Sequence, residues 1–183
     1  VITYMPIFTA GLLAIPMVLL GRLYGSTFLG FAAAILAVSG TSYFNRTCAG
    51  YYDTDMFSVT IPALILFWLL KAHKEQSIPA LSAGALGIFS FPFFYNSGSP
   101  IGAAIGVSFI GLRLLLWIIN RKKTEPNEVQ FTLIATTLLC LSIALCPWTV
   151  GVNWAIAPIK PWGGLLVLVA TIFGAVFLTK NQN

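Results

Sequence analysis

Two acidic residues separated by one position stand out in a chain that contains only five Asp and Glu residues. Asp53 and Asp55 lie with Arg46 in the stretch NRTCAGYYDTDM, residues 45 to 56, between two long apolar runs. If the backbone at 53 to 55 is extended or turned, both carboxylates leave the same face and reach one hard divalent cation. A continuous helix would instead turn them roughly 200° apart. The spacing therefore allows a metal site, for which Mg²⁺ or Mn²⁺ is the suitable cation.

A structural role competes with metal binding at these carboxylates. Asp53 or Asp55 would also cap a helix that begins near Met56, because an acidic side chain accepts hydrogen bonds from free N–H groups and complements the helix dipole. Arg46 carries one positive charge and neutralises only one of the two carboxylates, so the pair needs solvent, a cation or another partner. Both interpretations remain open on spacing alone.

The elements that flank these residues are predicted to be transmembrane helices. Of the 183 residues, 58% are hydrophobic and 8% are charged, and the mean hydropathy is +0.90. A helix crosses roughly 30 Å of hydrocarbon with about 20 mostly apolar residues. About seven runs qualify, at approximately 2 to 20, 27 to 44, 56 to 70, 78 to 94, 100 to 119, 129 to 149 and 162 to 179. We therefore predict an all-α, polytopic helical membrane protein with one transmembrane domain, residues 1 to 183.

The basic residues predict the orientation of this domain. Counted over alternate connections, one side holds Arg22, Lys71, Lys74, Arg121, Lys122, Lys123 and Lys180, and the other side holds only Arg46 and Lys160. Cytoplasmic connections carry the excess of Lys and Arg, so the first side is predicted to be cytoplasmic. Connections 45 to 55, 95 to 99 and 150 to 161 are then external. The net charge of +5 is thus a topology signal, and no nucleic-acid partner is expected.

The stretch 45 to 56 closely resembles the second acidic motif of the oligosaccharyltransferase catalytic subunit, especially the bacterial single-subunit PglB type. The shared pattern is Arg, a short spacer, Ala-Gly-Tyr-Tyr and Asp-Thr-Asp-Met before an apolar helix. The resemblance implies a metal-dependent, inverting membrane glycosyltransferase of the GT-C type. Such an enzyme transfers a glycan from a polyprenyl-pyrophosphate carrier to Asn in Asn-x-Ser/Thr sequons of an acceptor protein. It also implies a bacterial inner membrane location, with the external connections facing the periplasm.

The resemblance assigns roles to the residues of the acidic connection. Asp53 and Asp55 match the metal-binding pair of the family, which implies Mn²⁺ or Mg²⁺ as cofactor. Arg46 matches the basic residue ahead of that pair, where it is expected to orient a carboxylate or the acceptor region. All three are candidate catalytic residues.

A second external connection, FFYNSGSP, gains a role by the same resemblance. In the family this loop borders the pocket for the lipid-linked oligosaccharide donor. Tyr95, Asn96 and Ser97 are therefore expected to bind this substrate, through hydroxyl and amide hydrogen bonds. The same residues also fit a plain turn between two helices.

Other parts of the family's site are not found in these 183 residues. The family also uses an Asp in its first external loop, a Glu in a later one and a Trp-Trp-Asp motif in a C-terminal domain; the chain contains no Trp-Trp pair. It is therefore expected to be a transmembrane fragment of a larger membrane glycosyltransferase and to be inactive alone.

Two functions from other classes compete with the enzyme. Without the resemblance, the carboxylates would suggest a cation-coupled transporter or channel with an external ion site, although they lie at a span boundary and no inverted repeat pairs the spans. A scaffold whose acids only cap a helix is the other alternative.

Two further ionisable residues lie within or beside predicted spans. His73, in KAHKEQ, is predicted to be solvated at the cytoplasmic side. Arg113 falls inside the fifth span, where it is predicted to snorkel to the interface or to pair inside the bundle with a partner that the sequence does not identify.

Overall fold

The structure is a computed structural model that describes residues 8, 11 to 40, 57 to 95, 97 to 119 and 126 to 145. These residues form the helices α1 (Ala14–Leu23), α2 (Thr27–Ser39), α3 (Phe57–Glu75), α4 (Ile78–Phe94), α5 (Gly98–Ile119) and α6 (Pro126–Leu145). Helices α3, α5 and α6 are long and apolar enough to cross a membrane, and the other three are shorter apolar helices. The predicted all-α class is confirmed, and the predicted span at 162 to 179 lies outside the described residues.

Helix ends differ from the predicted ones where polar residues flank a span. Helix α3 continues to Glu75 rather than ending at 70, because Lys and Glu are good helix formers and Lys71 pairs with Glu75 one turn later, at 3.9 Å. Helix α6 begins at Pro126 rather than 129, since proline suits the first turn of a helix, where its missing N–H is not needed. Helix α2 ends at Ser39, where Gly40 leaves the helical conformation.

The core lies among α3, α4, α5 and α6. Its fully buried side chains include Ile65, Leu69, Leu81, Ile88, Phe91 and Leu139. The outer surface is also apolar: Phe28 is 76% exposed, Leu36 74% and Leu86 65%. Exposed apolar area on this scale is stable only in an apolar surrounding. The described helices therefore have the surface of a membrane protein.

Helices α1 and α2 form a hairpin that packs through two glycines. A Cβ atom built on Gly21 would lie 2.6 Å from the Cα of Gly30, and one built on Gly30 would lie 2.5 Å from the carbonyl oxygen of Met17. Small residues let helix backbones approach closely, which is a common way of packing helices in membranes. The Ser26 hydroxyl accepts a hydrogen bond from the Leu29 N–H at 3.3 Å and so caps the start of α2.

We expect Gly30→Ala to destabilise the protein by roughly 1 to 3 kcal/mol, because the added methyl group meets backbone atoms that cannot rotate away. Gly111→Ala is the matched control, since no atom lies within 4 Å of its built Cβ. That change should leave stability unchanged or raise it slightly through helix propensity. Thermal unfolding of the full-length protein in detergent measures both effects. Equal melting temperatures for the two variants would contradict the close hairpin contact.

Candidate functional site

The structure describes two of the six predicted site residues, Tyr95 and Ser97. The other four, Arg46, Asp53, Asp55 and Asn96, lie outside the described residues. Their assignments therefore remain predictions. The described helices do, however, show the residues that adjoin the two external connections to which site residues were assigned.

Tyr95 is held firmly at the end of α4. Its N–H donates to the carbonyl oxygen of Phe91 at 3.0 Å, and its ring stacks on the Phe91 ring with centroids 5.8 Å apart and planes 22° apart. Its carbonyl oxygen accepts a hydrogen bond from the Gly98 N–H at 2.8 Å, which closes the turn into α5. The tyrosine ring is half-buried. Backbone and ring contacts together give this side chain a defined position.

The turn after α4 is tighter than the predicted connection at 95 to 99. Gly98 and Ser99 already belong to α5, so only residues 95 to 97 connect the helices. A Cβ atom on Gly98 would lie 2.9 Å from the backbone carbon of Phe91 and 3.0 Å from its ring. Glycine is therefore required for this turn by the close approach of the two helices.

An aromatic pair joins the start of α3 to the end of α4. The rings of Phe57 and Phe94 lie 5.7 Å apart between centroids, at an interplanar angle of 55°. Phe57 follows Asp55 by two residues in the chain, and Phe94 directly precedes Tyr95. The structure thus brings the exit of the acidic connection and the 95 to 97 turn to the same end of the bundle.

A polar cluster around Arg113 lies toward the opposite end of these helices. The Arg113 side chain is only 6% exposed. Its guanidinium donates to His73 Nδ1 at 3.0 Å, to Thr132 Oγ1 at 2.8 Å and to the Glu128 carbonyl oxygen at 3.3 Å. It also packs over the Phe131 ring, 5.1 Å from the centroid. Of the two predicted alternatives for Arg113, the structure shows pairing inside the bundle, across α3, α5 and α6.

His73 is only partly solvated, near the end of α3. Its ring is half-buried and packs edge-on against Phe109, with centroids 6.4 Å apart and planes 89° apart. Because a guanidinium only donates hydrogen bonds, Nδ1 of His73 must accept, so the ring proton resides on Nε2. The partner of this histidine is 40 residues away in the chain, where sequence spacing gives no signal.

This cluster has the character of a structural site. The hydrogen bonds of Arg113 reach α3 and α6 from α5, so they hold three helices together. Among the described residues, no group of three or more His, Cys, Asp or Glu side chains could hold a metal ion. This statement does not include Asp53 and Asp55, which lie outside the described residues.

The ends of α1, α3 and α6 meet near the Arg113 cluster. The Lys74 amino group donates to the Leu23 carbonyl oxygen at 2.6 Å, and the Gln76 amide donates to Glu128 Oε1 at 3.2 Å. Among the described residues, three of the basic residues assigned to the predicted cytoplasmic side, Arg22, Lys71 and Lys74, thus lie at one end of the bundle. Phe57, which follows the acidic connection in the chain, and Phe94, which precedes the 95 to 97 turn, lie at the other end.

Comparison with known proteins identifies a family. The family model described as oligosaccharyl transferase STT3, N-terminal, matches residues 1 to 181. A Campylobacter jejuni protein named undecaprenyl-diphosphooligosaccharide–protein glycotransferase is 35% identical over 138 residues, which cover 75% of this chain and 19% of the relative. A Methanocaldococcus jannaschii protein named dolichyl-phosphooligosaccharide-protein glycotransferase is 26% identical over 172 residues, covering 82% of this chain and 18% of the relative.

The chain therefore spans about a fifth of the length of the curated relatives it matches. Both relatives are named as glycotransferases, and nothing in the comparisons supports the transporter alternative. Because the family model covers almost the whole chain, and the motif at 45 to 56 fits the same family, this chain belongs to the oligosaccharyl transferase STT3 family.

Proposed function

We propose that this chain forms part of the membrane domain of an oligosaccharyltransferase, which transfers a glycan from a polyprenyl-pyrophosphate carrier to Asn in Asn-x-Ser/Thr sequons. The observation that carries the proposal is the family match over residues 1 to 181. The names of the relatives agree with it, since they describe transfer from diphospho- or phospho-linked oligosaccharides to protein. The motif that contains Asp53 and Asp55 supplies the acidic groups that such chemistry needs.

The acidic connection is the proposed catalytic part of this chain. An amide nitrogen is a poor nucleophile, so carboxylates that engage the acceptor Asn lower the barrier to attack. Asp53 and Asp55 would hold Mn²⁺ or Mg²⁺, because two carboxylates are the oxygen donors that these cations prefer. When bound, the cation neutralises charge on the departing pyrophosphate. Arg46 would orient a carboxylate or the acceptor region.

The 95 to 97 turn is the proposed donor-binding part. Tyr95, Asn96 and Ser97 would hydrogen-bond the pyrophosphate oxygens or the first sugar. The contact of Phe57 with Phe94 supports this role. It places the start of the turn next to the start of α3, the helix that follows the acidic connection in the chain. The fixed ring of Tyr95 provides a preorganised contact, which lowers the entropic cost of binding.

We further propose that the acidic end faces the periplasm and that the protein resides in the bacterial inner membrane. Support comes from the basic residues, since Arg22, Lys71 and Lys74 lie at the end of the bundle that is opposite the Phe57–Phe94 pair. An excess of Lys and Arg marks the cytoplasmic side of bacterial membrane proteins.

Cysteine labelling tests this orientation. In the full-length protein with its native cysteines replaced, we expect Ser97→Cys to react with an impermeant thiol reagent in cells with a permeabilised outer membrane. Thr124→Cys, in a connection predicted to be cytoplasmic, should react only after the inner membrane is opened. Labelling of the two positions in the reverse order would exclude both the orientation and the donor-binding role of the turn.

Glycosylation of a sequon peptide by the full-length protein tests the function itself. The wild type should form a glycopeptide from a lipid-linked oligosaccharide, and Asp53→Ala/Asp55→Ala should abolish the product. Glu125→Gln, which removes a carboxylate from a predicted cytoplasmic connection, should retain full activity. Equal activity of all three proteins would exclude the proposed site, and a wild type that transports cations without forming glycopeptide would exclude the proposed function.

A further inference from the structure

A cleft of about 510 Å³ lies between the C-terminal ends of α1 and α3. Its polar wall consists of Arg22, Lys71, Lys74 and Glu75, and its apolar wall includes Leu19 and Phe67. Three cationic side chains thus face one carboxylate. The cleft is at the end of the bundle opposite the Phe57–Phe94 pair, and none of the proposed site residues lines it.

The contacts in the cleft show which cations remain available to a ligand. The Lys74 amino group is used by the fold, since it donates to the Leu23 carbonyl oxygen at 2.6 Å and lies over the Tyr24 ring. Lys71 makes a long pairing with Glu75, at 3.9 Å, and its amino group lies 5.6 Å from the centroid of the Trp68 ring, but neither contact is a hydrogen bond. Among the described residues, no carboxylate pairs with Arg22. Arg22 and Lys71 are therefore the groups that a bound anion would meet.

The composition of the walls indicates the class of ligand. A guanidinium binds phosphate oxygens through two parallel N–H groups, and an ammonium adds a point charge. A small free anion would contact only the polar wall. A phospholipid satisfies both walls, with its phosphate on the basic residues and its acyl chain along Leu19 and Phe67.

We propose that this cleft binds the headgroup phosphate of an anionic phospholipid from the surrounding membrane leaflet. Basic pockets between transmembrane helices are suited to anionic headgroups, which concentrate at the cytoplasmic surface. A lipid held there bridges α1 and α3, two helices that are far apart in sequence. The proposal does not depend on the glycosyltransferase function.

Native mass spectrometry of the full-length protein tests this proposal. Phosphatidylglycerol should bind more tightly than phosphatidylcholine of the same chain length. The dissociation constants should differ by roughly fivefold for each basic residue that contacts the lipid. Arg22→Gln/Lys71→Gln should remove this preference. Lys122→Gln/Lys123→Gln makes the same change of charge in another connection predicted to be cytoplasmic, and it should leave the preference in place.

Three results would overturn the proposal. The first is equal binding of the two lipids to the wild type, which needs no variant and does not depend on how any variant folds. The second is equal loss of preference in both double variants, which would indicate only general charge attraction. The third is complete displacement of phosphatidylglycerol by millimolar inorganic phosphate, which would make the cleft a site for free anions.

Discussion

Asp53→Asn should lower the rate of glycan transfer by the full-length protein by about 100-fold or more, and metal affinity should fall with it. The substitution keeps the shape of the side chain but removes the charge through which a carboxylate holds a hard cation. Excess Mn²⁺ should restore part of the rate, because a weakened site is filled again at higher metal concentration. Transfer rate measured against Mn²⁺ concentration gives both the loss and the recovery.

The competing role as a helix cap makes the opposite forecast for the same variant. Asn caps a helix about as well as Asp, so if Asp53 is only a cap, Asp53→Asn keeps the cap and changes neither activity nor stability. A thermal melt of Asp53→Asn beside the rate measurement separates the two roles. Wild-type activity with an unchanged metal requirement and an unchanged melting temperature would rule out Asp53 as a ligand and favour the helix cap.

His73→Phe/Thr132→Val should destabilise the full-length protein by roughly 3 to 5 kcal/mol. These changes remove two of the acceptors that hold the guanidinium of Arg113, at 3.0 Å and 2.8 Å, and leave a buried charge with one carbonyl partner. Adding Arg113→Met to this background should recover much of the lost stability, because the uncompensated charge is removed and an apolar side chain of similar length replaces it. Unfolding in detergent measures each step.

Thr137→Val is the matched control for the threonine change in this cluster. The Thr137 hydroxyl donates to the Leu133 carbonyl oxygen of its own helix at 2.9 Å, and the side chain is exposed. Loss of the Thr137 hydroxyl should change the free energy of unfolding little. Thr132→Val alone should lower it by about 1.5 to 3 kcal/mol, because it removes a hydrogen bond to a charged group. Equal effects of the two substitutions would show that Arg113 draws no stability from Thr132.

The sequence was a good guide to which segments form helices and a weaker guide to where they end. The predicted spans at 78 to 94 and 100 to 119 agree closely with α4 and α5, because turn residues bound a continuous apolar run. The span at 56 to 70 was too short, since a search for apolar runs stops at Lys71 although lysine continues a helix well. Hydropathy reports burial in lipid and does not report helix propensity.

The candidate site was predictable only through its motif. Asp53 and Asp55 were assigned because their spacing and neighbours match a family pattern; the family itself is confirmed, and the roles of the two residues stay predictions. The contacts that arrange the bundle gave no such signal. Neither the pairing of Phe57 with Phe94 nor the link from Arg113 to His73 follows a helical or strand period, since each joins residues on different helices.

The burial of Arg113 has a consequence for the order in which the protein is made. A ribosome completes α5 before it adds Glu128 and Thr132, so the cation must first enter the membrane with His73 as its available partner. Arg113 lies about 9 Å from the C-terminal end of α5, where its cost in hydrocarbon is below the roughly 2.5 to 3.5 kcal/mol of a helix centre. Synthesis of α6 then supplies the remaining acceptors. Because α6 supplies two of the acceptors of Arg113, we expect it to stabilise α5 across the bilayer, so that insertion of the two helices is coupled.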